Sequence, residues 1–465
     1  LAAGAGTRMK SDTPKVMHQI AGRTIIGHVL NEVNSLSPKD LRIVVGYGRE
    51  VVEPHIKEVA PSANTVFQSE QNGTGHAVQL ALADVDTKGT VLILAGDTPL
   101  LRNETLAEFF EAHSKNKNHA SVLTAELPDP SGYGRIVRNE DGEIVAIVEE
   151  RDATEELKGI NEINTGVYLF DIATLKESVK KLKNNNSQGE LYLTDVIAEI
   201  KNAGGKTDAI LSLDYTETLG INDRAQLAES AAIMRDRIND GHMRAGVTIT
   251  DPTTTWIDVT VKIENDVTIH PGSWLIGKTS IAKNSVIGPR STLKDVVVKE
   301  SAHIFESNVS ESEIGCCANV GPFTFIRPGT TVADNAKVGA YVEVKNSKIG
   351  EGSKVPHLSY VGDAEIGSGT NIGAATIFVN YDGVAKHETK IGNDVRIGSD
   401  TMLVAPVTVG DGAYTAAGSV ITDDIPAGAI GVARSKQRNI LGWVLRKRPG
   451  TKSAESAKKA GATEN

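Results

Sequence analysis

The chain has 465 residues, of which 40% are hydrophobic and 23% charged, and its formal net charge is −10. This length allows two or three domains with buried cores, and the negative balance argues against a broad nucleic-acid-binding surface. Because no signal segment, membrane-length apolar run or CxxC spacing is found and the two cysteines are adjacent, we expect a cytoplasmic protein with small-molecule partners and no membrane contact.

Strand-like and helix-like segments alternate through the first half of the chain. The predicted strands are Arg42–Val45, Thr90–Ala95, Ser121–Leu127 and Gly166–Phe170, and the predicted helices are Thr24–Ser35, Gly75–Asp84, Glu104–Ser114 and Ala173–Lys181. This order predicts an α/β, Rossmann-like domain with a mostly parallel sheet. Ligands bind such sheets beyond the carboxyl ends of the strands, so functional loops are expected at Ala3–Lys15, Gln68–Thr74, Gly96–Leu100 and Asn161–Gly166. The opening residues resemble a strand end, and we expect a few residues upstream of this numbering.

A helix is predicted next, over Asp223–Gly241, with one apolar stripe formed by Leu227, Ala231, Met234 and Ile238. Asn222 is a plausible N-cap for it. We interpret this helix as a linker between two domains.

From about Gly246 to Gly428, an aliphatic residue returns at every sixth position. The unbroken runs are Ile314, Val320, Ile326, Val332, Val338, Val344; Ile349, Val355, Val361; and Ile391, Ile397, Leu403, Val409. A period of six fits neither a helix nor a plain strand, but it fits short strands joined by tight turns. Three such units close a coil of about 18 residues, which predicts a parallel β-helix of roughly ten coils. The period is interrupted at Gly373–Ile391, and a Lys- and Ser-rich tail from Val444 is expected to be mobile.

These patterns divide the chain into four segments. We predict a first domain over 1–222, a linker helix over 223–246, a β-helix over 247–442 and a C-terminal tail over 443–465.

The loop Gly4-Ala5-Gly6-Thr7-Arg8-Met9, followed by Pro14-Lys15, carries the first chemical signal. Glycines let backbone amides approach a phosphate chain, and Arg8 and Lys15 can neutralise its charge. Taken alone, a Gly-x-Gly loop is explained equally well by a tight turn. The longer string resembles the opening signature of sugar-nucleotide pyrophosphorylases.

Further segments resemble the same family in the same order. They are Gln68–Thr74, Ala95–Leu100, Gly132–Arg135, Ile147–Glu149, Asn161–Gly166 and Asn222. The hexad array resembles the hexapeptide-repeat acyltransferases, whose left-handed prisms are usually trimers. Together they resemble the bacterial bifunctional N-acetylglucosamine-1-phosphate uridyltransferase / glucosamine-1-phosphate N-acetyltransferase family.

The resemblance implies a uridyl-transfer site in the first domain. It assigns nucleotide binding to Leu1, Ala2, Ala3, Gly4, Arg8, Lys15, Gln68, Gly73 and Thr74. It assigns sugar binding to Gly134, Glu149 and Asn164, and Mg²⁺ binding to Asp97 and Asn222. Asn222 is also assigned to nucleotide or sugar binding. From spacing alone, Asp97 and Asn222 could instead cap the segments that follow them.

Polar residues also appear within the array, where plain coils need none. Arg327 and Lys345 are 18 residues apart, so adjacent coils would place them side by side, where they could grip one phosphate. Charged residues stacked on successive coils can also be ordinary solvent-exposed surface. His357 offers a base that can accept a proton near neutral pH, although a lone histidine is more often structural.

In the array, the resemblance implies an acetyl-transfer site. It makes His357 the general base and assigns glucosamine 1-phosphate to Arg327, Lys345, Tyr360, Asn371 and Lys386. It assigns acetyl-CoA to Ala374, Asn380, Tyr381, Ser399, Ala417 and Arg434.

We therefore expect a bifunctional enzyme of UDP-N-acetylglucosamine synthesis, with acetyl-CoA and UTP as co-substrates and Mg²⁺ as cofactor. The resemblance also implies a homotrimer assembled through the β-helix. Two alternatives stay open at this point. One is a related pyrophosphorylase, such as a glucose-1-phosphate adenylyltransferase, whose β-helix serves regulation. The other is an array that only assembles subunits and carries no chemistry.

Overall fold

The computed structural model describes residues 1–86 and 88–464. They form two compact units, one of Leu1–Asn265 with Ile269–Thr279 and the other of Asp266–Thr268 with Ser280–Asn465. No helix in these two described ranges has the length and apolar character needed to cross a bilayer.

The first unit alternates strands and helices. Its strands are β1 (Gln19–Ile20), β2 (Arg23–Thr24), β3 (Arg42–Val45), β4 (Asn64–Phe67), β5 (Thr90–Ile93), β6 (Ala120–Glu126), β7 (Arg135–Arg138), β8 (Ile144–Val148), β9 (Glu162–Asp171) and β10 (Thr207–Leu211). Its helices are α1 (Ile25–Ser35), α2 (Arg49–Val59), α3 (Thr74–Leu82), α4 (Asn103–Asn116), α5 (Glu155–Lys158), α6 (Ile172–Val179), α7 (Asp195–Asn202) and α8 (Arg224–Arg244).

The main sheet of this unit is mixed rather than mostly parallel. Its strand order is β10-β6-β9-β7-β8, with β5 also paired to β9. β6 and β10 are parallel, but β9 runs antiparallel to β5, β6 and β7, and β7 with β8 forms an antiparallel pair. The α/β class is confirmed, and the long β9 accounts for the difference because it lies between strands that would otherwise be parallel neighbours.

The predicted strands and helices of the first unit are all present, with shifts of a few residues at their ends. Helix α2 was not predicted, since Pro54 lies inside it and proline removes an N–H from the helical ladder. Its buried residues, Val52 and Ile56, anchor it instead to the core beside β3.

Helix α8 lies within the predicted linker segment 223–246, but its N-cap is Asp223 rather than Asn222. The Asp223 carboxylate accepts hydrogen bonds from the amides of Ala225 and Gln226, each at 2.9 Å. A carboxylate suits this position because it satisfies free amides and complements the helix dipole. Asn222 is thereby left for another role.

The array continues from there as short strands. They are β11 (Thr248–Ile249), β12 (Trp256–Ile257), β13 (Lys262–Ile263), β14 (Thr268–Ile269), β15 (Trp274–Ile276), β16 (Ser280–Ile281), β17 (Val286–Ile287), β18 (Thr292–Lys294), β19 (Val297–Val298), β20 (His303–Ile304), β21 (Asn308–Ser310), β22 (Glu313–Ile314), β23 (Asn319–Val320), β24 (Phe325–Ile326), β25 (Thr331–Val332), β26 (Lys337–Ala340), β27 (Glu343–Lys345), β28 (Lys348–Ile349), β29 (Lys354–His357), β30 (Tyr360–Gly362), β31 (Ala364–Ile366), β32 (Asn371–Ile372), β33 (Ile377–Val379), β34 (Thr389–Ile391), β35 (Arg396–Ile397), β36 (Met402–Val404), β37 (Val407–Val409), β38 (Tyr414–Thr415), β39 (Val420–Ile421) and β40 (Ile430–Gly431).

These strands form three parallel sheets, which confirms the left-handed β-helix of hexapeptide repeats. The sheets have 11, 10 and 9 strands; we call them the first face (beginning with β11), the second face (beginning with β12) and the third face (beginning with β13). The aliphatic residues of the six-residue period fill the interior, and Ile314, Val320 and Ile326 are each 0% exposed. Burying one such side chain per strand stabilises the fold by about 1.5–3 kcal/mol relative to leaving it in water.

The interruption of the period is shorter than predicted. β33 lies inside the segment Gly373–Ile391, and the additional residues fall between β33 and β34. This insertion, residues 380–388, makes a turn in which Asp382 accepts hydrogen bonds from the amides of Val384 and Ala385.

The C-terminal segment contains two helices, α9 (Trp443–Lys447) and α10 (Lys452–Lys459). Their buried residues are Leu445 and Ala454.

Candidate active sites

A cleft of about 340 Å³ in the first unit gathers most of the residues predicted for uridyl transfer. Of the predicted residues, it is lined by Leu1, Ala2, Ala3, Gly4, Lys15, Gln68, Gly73, Thr74, Asp97, Glu149 and Asn164. Asp97 follows β5, Glu149 follows β8, and Asn164 belongs to β9. Separate loops and strand ends therefore converge on one opening, as the topology of α/β sheets favours.

Lys15 links the two predicted metal ligands. Its ammonium group forms an ion pair with Asp97 and donates a hydrogen bond to Oδ1 of Asn222 at 3.2 Å. The side chains of Lys15 and Asp97 are 13% and 21% exposed, so this ion pair is largely withdrawn from solvent. The amide of Ile221 also donates to the carbonyl of Asp97 at 3.0 Å, which fixes the Asn222 loop beside the Asp97 loop.

The donor set at this point suits magnesium. Asp97 and Asn222 both present hard oxygen atoms toward the Lys15 ammonium group. Mg²⁺ binds such oxygens through one or two protein groups and completes its shell with water and phosphate oxygens. The described ranges contain no group of three or more His, Cys, Asp or Glu that could hold a metal.

The residues predicted for the sugar lie close together: Glu149 and Asn164 line the cleft, and Gly134 adjoins them. The amide of Asn164 donates to the carbonyl of Gly134 at 2.8 Å. A Cβ atom at Gly134 would lie 3.5 Å from Oε2 of Glu149 and from Cβ of Asn164, so Gly134 packs directly beside both residues. Burial raises the pKa of Glu149, against a smaller opposing effect of the hydrogen bond from Thr194.

The loop predicted to bind the nucleotide, Gln68–Thr74, is held by hydrogen bonds to backbone groups. The buried Gln68 donates from Nε2 to the carbonyl of Gly73 at 3.1 Å. Gly73 has φ of +99°, and a Cβ there would lie 2.5 Å from the carbonyl of Leu191, so both the conformation and the space require glycine. Thr74 begins α3 and accepts a hydrogen bond from the amide of Leu193 at 3.1 Å.

Of the predicted residues, Arg8, Gly134 and Asn222 are not among those that line the cleft. Gly134 and Asn222 contact the lining residues Asn164 and Lys15, whereas Arg8 stands apart. It is exposed, in a short 3₁₀ turn over Thr7–Met9, and it does not line the cleft. Gln71 and Thr194 line the cleft and were missed. Gln71 donates to the carbonyl of Ala3 at 2.9 Å, and Thr194 donates to Glu149 at 3.2 Å. Gln71 lies within the predicted loop Gln68–Thr74 but was not singled out there, whereas Thr194 belongs to no predicted motif and only the fold identifies it.

In the second unit, three cations converge on the second face. The register pairs Ile326 with Val344, which places Arg327 and Lys345 side by side in adjacent coils, as their spacing predicted. Lys386, from the insertion, neighbours Lys345, and the pKa of Lys386 is lowered by Lys345 and, more weakly, by Arg327. Three positive groups at one position suit the dianion of a phosphate monoester.

Asp363 lies beside Lys345 in this cluster and was missed by the sequence analysis. Its carboxylate oxygens lie 3.5 and 3.4 Å from Nζ of Lys345. It also accepts hydrogen bonds from the side-chain amides of Asn346 at 2.8 Å and Asn380 at 2.5 Å. Tyr360 is close by, with its hydroxyl 3.4 Å from Nδ2 of Asn380.

His357 ends β29 on the first face, at the corner that leads to the second face. The amide after each corner residue donates to the corner residue one coil earlier: Ala375 to His357 at 3.3 Å, Asp400 to Ala374 at 2.8 Å, and Gly418 to Ser399 at 2.9 Å. His357, Ala374, Ser399 and Ala417 therefore form one column along the prism. The imidazole is exposed at this corner.

The other predicted residues of this site occupy neighbouring positions. Asn371 lies on the first face in register with Lys354, the first residue of the His357 strand. Tyr381 pairs with Lys386 across the insertion. Arg434 is exposed and follows Ala433, whose amide donates to Oγ of Ser419 at 3.2 Å.

Two protein-family models match parts of the chain. A MobA-like NTP transferase domain matches residues 1–157, and a bacterial transferase hexapeptide of six repeats matches residues 388–423. The first contains most of the cleft, and the second begins within the insertion.

Full-length relatives are similar over almost the whole chain. The bifunctional protein GlmU of Corynebacterium diphtheriae is 52% identical over 100% of this chain and 97% of its own length. The GlmU proteins of Streptomyces avermitilis and Mycolicibacterium gilvum are 53% and 50% identical over 99% and 98% of this chain, and over 96% and 93% of their own lengths. A solved structure, HddC from Yersinia pseudotuberculosis, is 16% identical over 50% of this chain and 96% of its own, with a TM-score of 0.39, a likeness too distant to inform function.

Proposed function

The chain belongs to the family of bifunctional GlmU proteins, and from this premise we propose how its residues divide two transfer reactions. The enzyme transfers an acetyl group from acetyl-CoA to glucosamine 1-phosphate. It then transfers uridyl from UTP to N-acetylglucosamine 1-phosphate and releases pyrophosphate. The NTP transferase and hexapeptide matches correspond to these two halves.

For acetyl transfer, we propose that Arg327, Lys345 and Lys386 bind the phosphate of the amino sugar, with Tyr360 and Asn371 beside them. The column of Ala374, Ser399 and Ala417 would carry acetyl-CoA, together with Asn380, Tyr381 and Arg434. The observation that supports this division is the convergence of three cations on one face while His357 stands at the corner of that face. A phosphate group and a thioester could thus be held on two sides of one amine.

The acetyl step follows from these positions. The amine nitrogen attacks the thioester carbonyl carbon, so a C–N bond forms and the carbonyl oxygen gains negative charge. The His357 imidazole accepts the amine proton, since histidine is the side chain best suited to general base catalysis near neutral pH. When the carbonyl re-forms, the C–S bond breaks and the CoA sulfur leaves with a proton from the imidazolium.

For uridyl transfer, we propose that the loops of Leu1–Gly4, Gln68 and Gly73–Thr74 hold UTP, and that Gly134, Glu149 and Asn164 hold the sugar. A phosphate oxygen of the sugar attacks the α-phosphorus of UTP, and the bond to the pyrophosphate oxygen breaks. Lys15 offsets charge on the phosphates. Mg²⁺ held by Asp97 and Asn222 would supply further charge neutralisation, which is most of what phosphoryl transfer requires.

We also propose the assembly and setting that the family implies. The hexapeptide β-helix suggests an oligomer, and we propose a homotrimer formed through it in the cytoplasm. We also propose that Arg8, which is exposed and does not line the cleft, contributes to nucleotide binding.

Two substitutions test whether the sites are separate. His357→Ala is expected to abolish acetyl transfer, measured as release of CoA thiol, and to leave uridyl transfer from UTP to N-acetylglucosamine 1-phosphate intact. Asp97→Ala is expected to do the reverse. Loss of both activities in either variant, with an unchanged circular-dichroism spectrum, would contradict the division.

A further inference from the structure

Asp363 has an unusual set of contacts for a residue at a β-helix corner. It follows β30 and is bonded to the coil below through Lys345 and Asn346, and to the coil above through Asn380. Its own amide donates to the carbonyl of Lys345 at 3.0 Å. One carboxylate therefore joins side chains from three successive coils.

The charge state of Asp363 suits this role. Its side chain is 13% exposed. Partial burial opposes the charged form, but the amides of Asn346 and Asn380 and the Lys345 ammonium outweigh it, so the pKa of Asp363 lies below its ordinary value. An ionised carboxylate with defined donors has few ways to rearrange, and its partners are fixed with it.

The contact with Asn380 also orients that side chain. Nδ2 of Asn380 donates to Oδ2 of Asp363 at 2.5 Å, while its backbone carbonyl accepts from the amide of His387 at 2.8 Å. Because the amino group faces Asp363, Oδ1 is directed away from it. The same carboxylate thus fixes a side chain on the phosphate side of the site and one on the acetyl-CoA side.

We propose that Asp363 is the positioning residue that couples the two substrate-binding parts of the acetyl-transfer site. It holds the Lys345 ammonium toward the sugar phosphate and the Asn380 amide toward acetyl-CoA, and it contacts neither substrate. This assignment rests on the proposed acetyl transfer at this site.

The test compares Asp363→Ala and Asp363→Asn with a control substitution at another acidic residue. Glu365→Gln is the control, because Glu365 lies two residues on, pairs with Lys348 at 3.6 Å and is half exposed. For each variant of the full chain, kcat and both KM values of acetyl transfer are measured. Uridyl transfer from UTP to N-acetylglucosamine 1-phosphate is measured in parallel as a sign of intact fold.

The expected pattern distinguishes positioning from a general loss of structure. Asp363→Ala should raise both KM values by roughly 10- to 100-fold, the range for removing a hydrogen bond to a charged group, with a smaller change in kcat. Asp363→Asn keeps an oxygen that can accept from Asn380 but no charge for Lys345. It should therefore raise the KM of glucosamine 1-phosphate alone and leave that of acetyl-CoA within about twofold. Glu365→Gln should match the wild type.

Other outcomes would overturn the proposal. Wild-type KM values in both Asp363 variants, or a fall in kcat alone, would show that Asp363 positions neither substrate. Equal increases of both KM values in Asp363→Asn would refute the distinction between the charge that holds Lys345 and the acceptor oxygen that holds Asn380. If Asp363→Ala fails to fold, Asp363→Asn decides by itself. A wild-type enzyme without acetyl transfer would instead defeat the proposed function, and this inference with it.

Discussion

Lys345 offers the sharpest test of the phosphate site. Its ammonium lies beside Arg327 of the coil below and Lys386 of the insertion, and its side chain is 19% exposed. At about 4 Å and an effective dielectric constant of about 20, one ammonium and one unit of phosphate charge attract by about 4 kcal/mol. Partial solvation and the two remaining cations reduce the loss on Lys345→Met to about 1.5–3 kcal/mol, or roughly 10- to 150-fold in kcat/KM.

The assay pairs this substitution with a change of substrate. kcat/KM for acetyl transfer is measured with glucosamine 1-phosphate and with glucosamine, which lacks the phosphate. Lys345→Met should lower kcat/KM for the phosphorylated substrate only, because the lost attraction requires the phosphate. Lys348→Met is the matched control, since Lys348 is 72% exposed and pairs with Glu365. Equal losses with both substrates, or no loss with either, would refute the assignment of Lys345 to the phosphate.

Two further predictions concern stability. Because burial raises the folded-state pKa of Glu149, its ionised form costs stability above that pKa. Glu149→Gln should therefore raise the melting temperature at pH 8, by a margin that shrinks as the pH falls through the raised pKa. An equal margin at pH 8 and at a pH below the ordinary glutamate pKa of about 4.3 would contradict this. Phe378 is 0% exposed in β33, so Phe378→Ala should lower the free energy of unfolding by about 3–5 kcal/mol. Acetyl transfer should be lost at a lower denaturant concentration in this variant than in the control Val384→Ala, because Val384 is 91% exposed. Equal denaturation midpoints in the two variants would contradict the prediction.

The β-helix was predictable because its period depends on one local rule. Each strand buries one aliphatic side chain, and residues such as Val338 and Val344 are 0% exposed as that rule requires. The same rule placed Arg327 beside Lys345, since 18 residues make one coil there. Coils elsewhere differ in length: Lys345 pairs with Gly362, 17 residues on, and Glu365 with Lys390, 25 on. Because coil length varies, sequence spacing predicts strand pairing less well between coils that are far apart in the chain.

Residues that act through long-range contacts could not be found from the sequence. Asp363 resembles any polar corner residue, and only the stacking of coils brings Asn346 and Asn380 to it. Thr194 reaches Glu149 from a loop with no motif. Asn222 was assigned two roles, and the neighbouring Asp223 takes the cap while Asn222 contacts Lys15. A carboxylate and an amide at adjacent positions cannot be ranked for capping by spacing alone.

The central claim is that one chain performs both transfers in sequence, and a substrate-omission assay tests it most directly. The purified protein is supplied with glucosamine 1-phosphate, acetyl-CoA, UTP and Mg²⁺, and each is then left out in turn. We predict UDP-N-acetylglucosamine and pyrophosphate only when all are present, with N-acetylglucosamine 1-phosphate replacing the first two substrates. Release of pyrophosphate from N-acetylglucosamine 1-phosphate and UTP, but no release of CoA thiol under any condition, would contradict the claim and leave the β-helix as a scaffold.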